Sequence, residues 1–199
     1  MKCHYDERVA QYRCARSGEY VCLSHARLDV VSVSTRARLP PLPVRAALPG
    51  DTETIKRLAL TYWGETEVRC FDRDYDVLAL PALLAASDGQ VAGALSYSME
   101  DDRLVIVMLN VHPEYQGRRT ARSLLAIAEE EARGRGIPRL VVATSNDDLP
   151  ALYVYQRWGF VITDILPGAV LDHHGHEVLG FASIPVRDEI RLERRLAPQ

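Results

Sequence analysis

The sequence has no apolar run long enough to cross a membrane and no secretory signal pattern at its start. Cysteines are scarce, four in 199 residues, so a disulfide-stapled secreted scaffold is not indicated. The formal net charge of −3 gives no electrostatic reason to expect nucleic acid or a membrane surface as partner. We therefore expect a cytoplasmic protein whose thiols stay reduced.

Length and composition fit one globular domain with a small appendage. Hydrophobic residues make up 47% of the chain, which suffices for a core. Residues 33–43 contain three prolines and no helix or strand pattern, and we interpret them as a semi-rigid linker. The chain is thus divided into a module at 1–32, the linker, and a domain at 44–199.

The apolar pattern after the linker predicts alternating strands and helices. Asp88-Gly89 is a favoured hairpin dipeptide between two of the strands. Apolar residues at helical spacing predict a helix from about residue 120 to the stop at Gly136. The expected strands are 44–48, 83–86, 90–99, 104–111, 140–143, 160–166 and 184–196. This order indicates an α/β fold with a twisted, mostly antiparallel mixed sheet flanked by helices.

A short basic turn joins the strand that ends at Val111 to the following helix. The first N–H groups of a helix have no helical partner, and the helix dipole favours negative charge there. Arg118, Arg119 and Arg122 would add charge-assisted contacts to phosphate oxygens. The turn therefore suits a pyrophosphate, although solvated surface turns have the same composition, and the turn alone leaves both interpretations open.

A second segment, residues 144–160, follows the apolar strand 140–143. Asp147 or Asp148 can cap a helix whose tolerant first turn contains Pro150. Gly159 lies where that helix would end in the left-handed conformation.

Together these segments resemble the two signatures of the GNAT superfamily of N-acyltransferases, in the family's order and spacing. The turn is similar to the acyl-CoA-binding pattern Gln/Arg-x-x-Gly-x-Gly/Ala. Gln116 and Ala121 stand at its ends, and Arg119 replaces the usual middle glycine. The second segment is similar to an Asn followed by a helix ending in Tyr-x-x-x-Gly-Phe, with Asn146 and Tyr155 in those positions. The resemblance covers about residues 44–196 and implies the GNAT fold.

The resemblance also implies a chemistry, in which a neutral amine attacks the thioester of acetyl-CoA directly. A backbone N–H near Leu109 and Val111 would polarise the carbonyl. Tyr155 would act as the acid for the leaving thiolate, unless it is only a packed aromatic. Asn146 would contact the pantetheine arm, unless it is only a turn residue. The other cofactor-binding residues implied are Gln116, Gly117, Arg118, Arg119, Thr120, Ala121 and Arg122.

No general base can be named from the sequence. Members of the family often have a glutamate on the strand before the phosphate turn, but residues 104–109 contain no ionisable group. Glu100, Asp101 and Glu114 lie nearby and are interpreted as solvated turn residues. A water could relay the proton instead.

The first 25 residues contain three of the four cysteines. Each is separated by two residues from a possible second ligand, a spacing typical of zinc sites. The pairs are Cys3 with Asp6, Cys14 with Ser17, and Cys22 with His25. The spacing resembles the B-box family of small zinc-binding modules, with Asp6 and Ser17 in place of the usual His and Cys. B-box topology gives Cys3, Asp6, Cys22 and His25 as ligands, whereas counting soft ligands gives Cys3, Cys14, Cys22 and His25.

Further histidines and the remaining cysteine also bear on the metal prediction. His4 is another candidate ligand, and a metal-free remnant is the alternative to a structural zinc site. Cys70 stands apart and is interpreted as a packed or free thiol. His173, His174 and His176 lie together, but we expect a mobile loop that shapes the acceptor pocket rather than a metal site.

The sequence thus predicts an N-acetyltransferase that moves an acetyl group from acetyl-CoA to an unidentified primary amine. The alternative is a non-catalytic acyl-CoA sensor on a GNAT scaffold, with the zinc module recruiting a protein partner. A third hypothesis is that the zinc module presents a protein substrate to an active domain. A homodimer is a further hypothesis.

Overall fold

The computed structural model describes residues 1–10, 12–13, 18–22, 40–87 and 89–197. The described helices are α1 (Thr52–Tyr62), α2 (Thr120–Gly134), α3 (Leu149–Trp158) and α4 (Ala169–His174). The described strands are β1 (Tyr12–Arg13), β2 (Tyr20–Val21), β3 (Val44–Ala46), β4 (Glu67–Cys70), β5 (Arg73–Asp76), β6 (Ala82–Ser87), β7 (Gln90–Met99), β8 (Leu104–Val111), β9 (Arg139–Ser145), β10 (Val161–Leu166), β11 (Val178–Leu179), β12 (Pro185–Val186) and β13 (Glu189–Arg195).

Seven strands form the central sheet in the order β10-β13-β9-β8-β7-β6-β3. Only β8 and β9 pair in parallel, while the other neighbouring pairs of this sheet are antiparallel. Buried residues of α2 and α3 pack against one face of the sheet, and those of α1 and the β4–β5 hairpin pack against the other. The predicted α/β fold with a mostly antiparallel mixed sheet is confirmed.

The parallel pairing of β8 and β9 is short. It covers only residues 104–106 of β8 and 140–142 of β9. The register of β8 against β7 shifts between Met108 and Ile106, so Val107 is an extra, bulged residue at the point where the parallel pairing stops. Beyond it, within the described sheet, the carboxyl ends of β8 and β9 do not pair, and a gap lies between them.

Two expectations about the last third of the chain are corrected. The strand predicted at 184–196 is shorter, because Pro185-Val186 turns away to pair with β11 and only Glu189–Arg195 joins the main sheet. Pro185 has no backbone N–H to donate to a central ladder. The loop predicted around His173 is partly helical, since α4 runs from Ala169 to His174 between two left-handed glycines, Gly168 and Gly175.

The β4–β5 hairpin, which follows α1, was not predicted from the sequence. Its turn is made by Phe71 and Asp72, both with positive φ, where glycine or asparagine would have signalled a turn. None of the described helices is both long and apolar enough to span a membrane.

Candidate active site

The basic turn before α2 adopts the conformation that its motif requires. Gly117 has φ +75° and Arg119 has φ +64°, so Arg119 occupies the left-handed region at the helix N-cap. A side chain there costs about 1 kcal/mol or more, which explains why glycine is usual at this position. The Thr120 hydroxyl donates to the Tyr115 carbonyl at 3.1 Å and fixes the turn against the helix.

The predicted phosphate-binding groups come together at this helix end. The N–H groups of Thr120, Ala121 and Arg122 are the first of α2 and have no preceding helical carbonyl to bond. Arg118 lies over the Tyr115 ring, and Arg122 lies over the Trp158 ring at 5.3 Å. The Nε of Arg118 is buried without a partner among the described residues. The site therefore offers backbone donors and positive charge to one anion.

Gln116 sits between this turn and the gap in the sheet. Its Nε2 donates to the carbonyl of Val111 at 3.3 Å, at the carboxyl end of β8. Its Oε1 accepts a hydrogen bond from the backbone N–H of Arg13 at 3.1 Å. Leu109, two residues before Val111, packs partly buried against the core formed with α2 and α3.

On the other side of the gap, the polar residues 146–148 connect the end of β9 to the start of α3. Asp148 caps α3 by accepting from the Ala151 N–H at 3.1 Å, which selects it from the two predicted candidates. Asp147 is buried and accepts from the Phe181 N–H at 2.9 Å. Burial, together with the neighbouring Asp147, raises the pKa of Asp148 to about 6.

Asn146 fastens a distant segment to the end of β9. Its Oδ1 accepts from the N–H groups of Arg187 and Asp188 at 2.8 and 3.0 Å, and its Nδ2 donates to the Pro185 carbonyl. The amide therefore has partners within the chain, and its contact with a pantetheine arm stays a prediction.

Tyr155 is buried on α3 and packs at 5.5 Å against the ring of Phe160. It belongs to the same core cluster as Ile106 and Val142, the last paired residues of β8 and β9. Burial raises the pKa of its phenol, and the charges of Asp148 and Cys70 raise it further. The hydroxyl is therefore protonated at neutral pH.

Two charged residues near the start of β13, Glu189 and Arg191, were not predicted from the sequence as part of the site. Glu189 is 9% exposed at the start of β13 and pairs with Arg191, which also holds Asp72 at 2.9 Å. Phe71 lies between the guanidinium groups of Arg191 and Arg103, each 5.2 Å from its ring. The register of β13 against β9 brings Glu189 and Arg191 here, and their local sequence does not indicate this position.

Asn110 is a second residue that the sequence did not single out. It is 7% exposed on β8, and its Oδ1 accepts from the indole N–H of Trp63 at 2.8 Å. Its Nδ2 is buried without a partner among the described residues. The alternation of strand β8 placed it in a buried row but could not indicate Trp63, which is 47 positions away.

The N-terminal segment packs on the mouth of the same gap. Cys3, Val21 and Cys22 form a small core with Phe181, and Leu149 of α3 packs against it. The Tyr12 ring stands edge-on to Phe181 at 5.3 Å. Burial, with the charges of Asp148 and Asp147, raises the pKa of the Tyr12 phenol. The described residues of this segment thus contact α3 and Phe181 on one side and, through Arg13, Gln116 on the other.

Part of the predicted metal site is brought together. One ligand atom from each of Cys3, Asp6 and Cys22 lies within 4.8 Å of the others. Two thiols and a carboxylate are a donor set that zinc accepts. Arg8 hydrogen-bonds to the Asp6 carboxylate and holds its pKa down at about 2. The other proposed ligands, Cys14 and His25, lie outside the described residues, as does most of the linker.

The split sheet, the basic N-terminus of α2 and the buried Tyr155 together fit an acyltransferase of α/β architecture. A model of the acetyltransferase (GNAT) family matches residues 52–160. The chain therefore belongs to the acetyltransferase (GNAT) family and is an N-acetyltransferase that uses acetyl-CoA. The match begins after the N-terminal segment.

Individual relatives agree with the family match. YxbD, an uncharacterised protein of Bacillus subtilis (strain 168), is 30% identical over 140 residues, 68% of this chain and 87% of that protein. Streptothricin acetyltransferase of Streptomyces lavendulae is 38% identical over 76 residues, but these cover only 37% of this chain and 40% of that protein. The structure of an IAA acetyltransferase from Bacillus cereus ATCC 14579 superposes with a TM-score of 0.64 at 27% identity, covering 77% of this chain and 100% of that one.

Proposed function

We propose that the chain transfers the acetyl group of acetyl-CoA to a primary amine within a ternary complex. The observation that supports this most directly is the gap between β8 and β9, which begins at the Val107 bulge. The basic N-terminus of α2 follows the turn at the end of β8, and Tyr155 belongs to the core cluster that includes the last strand pair. A thioester held along the gap would be open to an amine from the opposite face of the sheet.

Each site residue then has a defined task. The N–H groups of Gly117 and residues 120–122 bind the pyrophosphate, and Arg118, Arg119 and Arg122 add charge. The backbone of Leu109 and Val111 lines the gap and polarises the thioester carbonyl. Asn146 positions the pantetheine arm through residues 185–188, which its side-chain amide holds by hydrogen bonds.

The proton balance fits a tyrosine acid. The amine nitrogen forms a bond to the carbonyl carbon, the carbon–sulfur bond breaks, and one amine proton is lost while the thiolate gains one. Tyr155 donates its proton to the departing sulfur and recovers one from the amine through solvent. The phenol carries this proton at neutral pH, because burial raises its pKa.

The first test separates binding from turnover. Calorimetric titration with acetyl-CoA, with free CoA as the comparison, should give micromolar binding. CoA release is then measured with streptothricin, spermidine, lysine and a peptide with a free N-terminus. Release with any amine supports the proposal. Binding without release favours the acyl-CoA sensor, which the strained Arg119 and the lack of a base on β8 support as the second candidate.

A structural zinc in the N-terminal segment is a separate part of the proposal. Cys3, Cys22 and His25 would be ligands, with either Asp6 or Cys14 as the fourth. The metal would stabilise a segment too short to fold alone. We expect about one zinc per chain by metal analysis. The double variant Cys3→Ser/Cys22→Ser should lose it, whereas the isolated thiol variant Cys70→Ser should keep it. A metal-free native preparation contradicts the zinc site.

The same thiol variants test whether the segment serves a protein partner. If it presents a protein substrate, the Cys3→Ser/Cys22→Ser variant should lose peptide or protein acetylation and keep activity on a small amine. Equal activity of variant and wild type on both substrates would rule out presentation.

A further inference from the structure

Asn110 lies where the two halves of the sheet separate. It follows the last parallel pair, Ile106 with Val142, and stands between Leu109 and Val111, the residues proposed to line the thioester. It is opposite Ala94 of β7 in the ladder, so both side chains lie on the same face of the sheet. Ala94 belongs to the cluster that packs beneath α1, so the amide of Asn110 is on the α1 face.

The orientation of this amide is fixed by its neighbour. The indole N–H of Trp63 can only donate, so the atom 2.8 Å from it must be the amide oxygen of Asn110. The NH2 group therefore points the other way, where it meets no acceptor among the described residues. A buried donor without a partner costs about 1–3 kcal/mol, and such groups are rare in native proteins.

A second unsatisfied group lies next to it. Ser96 is fully buried, and its Oγ has no partner among the described residues. Ser96 pairs with Met108 in the ladder, so it is the diagonal neighbour of Asn110 on the same face, at about 7–8 Å. Asn110 and Ser96 are thus two buried polar groups on one face of the sheet whose hydrogen-bonding capacity the described residues do not satisfy, which indicates a partner outside them.

This place is on the side from which an acceptor would come. The phosphate turn leads into α2, and α2 and α3 pack on the opposite face with Tyr155. Acetyl-CoA is therefore held from the α2 face. The α1 face, which carries Asn110 and Ser96, is left for the amine.

We propose that the Asn110 NH2 group donates a hydrogen bond to an oxygen atom of the acceptor and so positions its amine at the thioester. The acceptor then carries an amide carbonyl, carboxylate or hydroxyl oxygen close to the amine, as in an amino-acid amide, rather than being a simple alkylamine. This assignment rests on the proposed acetyl transfer and extends it to the class of acceptor.

The test compares two amines of similar shape, alaninamide and sec-butylamine, of which only alaninamide has an amide carbonyl. Because the two amines differ in pKa, kcat/KM is expressed per neutral amine. Wild-type protein should use alaninamide with a kcat/KM at least about tenfold higher, which corresponds to ~1.4 kcal/mol. Asn110→Leu should bring the two amines to equal kcat/KM while its acetyl-CoA affinity stays at the wild-type value. Retained discrimination in the variant, or an effect confined to acetyl-CoA affinity, overturns the proposal.

A binding measurement separates this inference from the proposed function. In the presence of free CoA, alaninamide should raise the unfolding temperature of the wild-type protein, and sec-butylamine should not; Asn110→Leu should show neither shift. If acetyl-CoA binds and no amine is turned over, the acetyl-transfer proposal fails, and the alaninamide shift alone decides the role of Asn110. If alaninamide does not raise the unfolding temperature of the wild-type protein, the proposed role of Asn110 is overturned.

Stability gives an independent readout. Removing both partners in Trp63→Phe/Asn110→Leu should leave the ligand-free protein at least as stable as wild type, because the unsatisfied NH2 is gone. Trp63→Phe alone should be less stable, since it leaves the whole amide unpaired. A double variant as unstable as the single one means that the NH2 group is satisfied in the free protein, and overturns the proposal.

Discussion

The backbone N–H of Arg13 donates to the side-chain oxygen of Gln116 across 103 positions of sequence, at 3.1 Å. Nearby, the Tyr20 hydroxyl donates to the Glu114 carboxylate at 3.2 Å. These bonds attach the N-terminal segment to the turn that leads into α2. The segment and the phosphate turn therefore form one structural unit.

We expect the Gln116→Ala variant to loosen the N-terminal segment. Losing the oxygen removes the acceptor for the Arg13 N–H, so amide exchange at Arg13 should accelerate, and stability should fall by about 1 kcal/mol. Gln116→Glu keeps an oxygen in place and serves as the control, measured by hydrogen exchange with mass spectrometry. Equal exchange in all three proteins would show that the bond does not hold the segment.

Arg119 combines backbone strain with a positive charge, and two substitutions separate them. Arg119→Gly relieves the left-handed conformation at φ +64°, whereas Arg119→Ala keeps it, and both remove the charge. The glycine variant should be the more stable of the two by about 1 kcal/mol in urea unfolding. A loss of acetyl-CoA affinity common to both variants measures how much the positive charge of Arg119 contributes to binding. Tighter binding by the glycine variant alone would mean that the side chain keeps the backbone from the phosphates.

The carboxyl of Asp148 should make stability depend on pH in an unusual direction. Its folded pKa of about 6 lies above the ordinary 3.8, so the folded chain holds this proton more tightly than the unfolded chain does. The stability that the group contributes is greatest below pH 4 and falls as pH rises through 6. In urea unfolding, Asp148→Asn should gain on the order of 2 kcal/mol over wild type between pH 4.5 and pH 8.

Alanine at the same position controls for the cap. Asparagine retains a side-chain oxygen for the Ala151 N–H, whereas Asp148→Ala loses it and should cost about 1 kcal/mol at both pH values relative to asparagine. A wild-type protein whose stability runs parallel to that of the asparagine variant across this range would show that the carboxyl ionises normally.

Tyr155→Phe should lower turnover by about 100-fold or more and leave acetyl-CoA affinity near wild type, if the phenol is the acid. The ring and its packing on Phe160 are retained, so the change reports on the hydroxyl. Tyr153→Phe, on the exposed side of the same helix, is the matched control and should be silent. Full turnover by the Tyr155 variant would leave the residue a packing role only.

Local signals predicted the two motif segments well. Gly117, Pro150 and Gly159 constrain their own backbones, so the turn before α2 and both ends of α3 follow from neighbouring residues. The placement of β13 between β9 and β10, and the pairing of Trp63 with Asn110, depend on contacts between distant parts of the chain. The hairpin turn at Phe71 and Asp72 was missed because phenylalanine is not a turn residue by type and Asp72 alone is a weak turn signal.

The early end of the ladder between β8 and β9 gives this sheet two edges in its interior. Beyond Ile106 and Val142, each strand is still paired with its outer neighbour, β7 or β13. Within the described sheet no strand engages the peptide groups on the sides that face the gap, a condition usually found only at the margin of a sheet. One of these peptide groups, the Val111 carbonyl, is occupied by a side chain, that of Gln116. A ligand with amide groups of its own can lie between the two edges and hydrogen-bond to them as an added strand would. The chain can therefore bind its cosubstrate through main-chain atoms, which remain when a side chain is substituted.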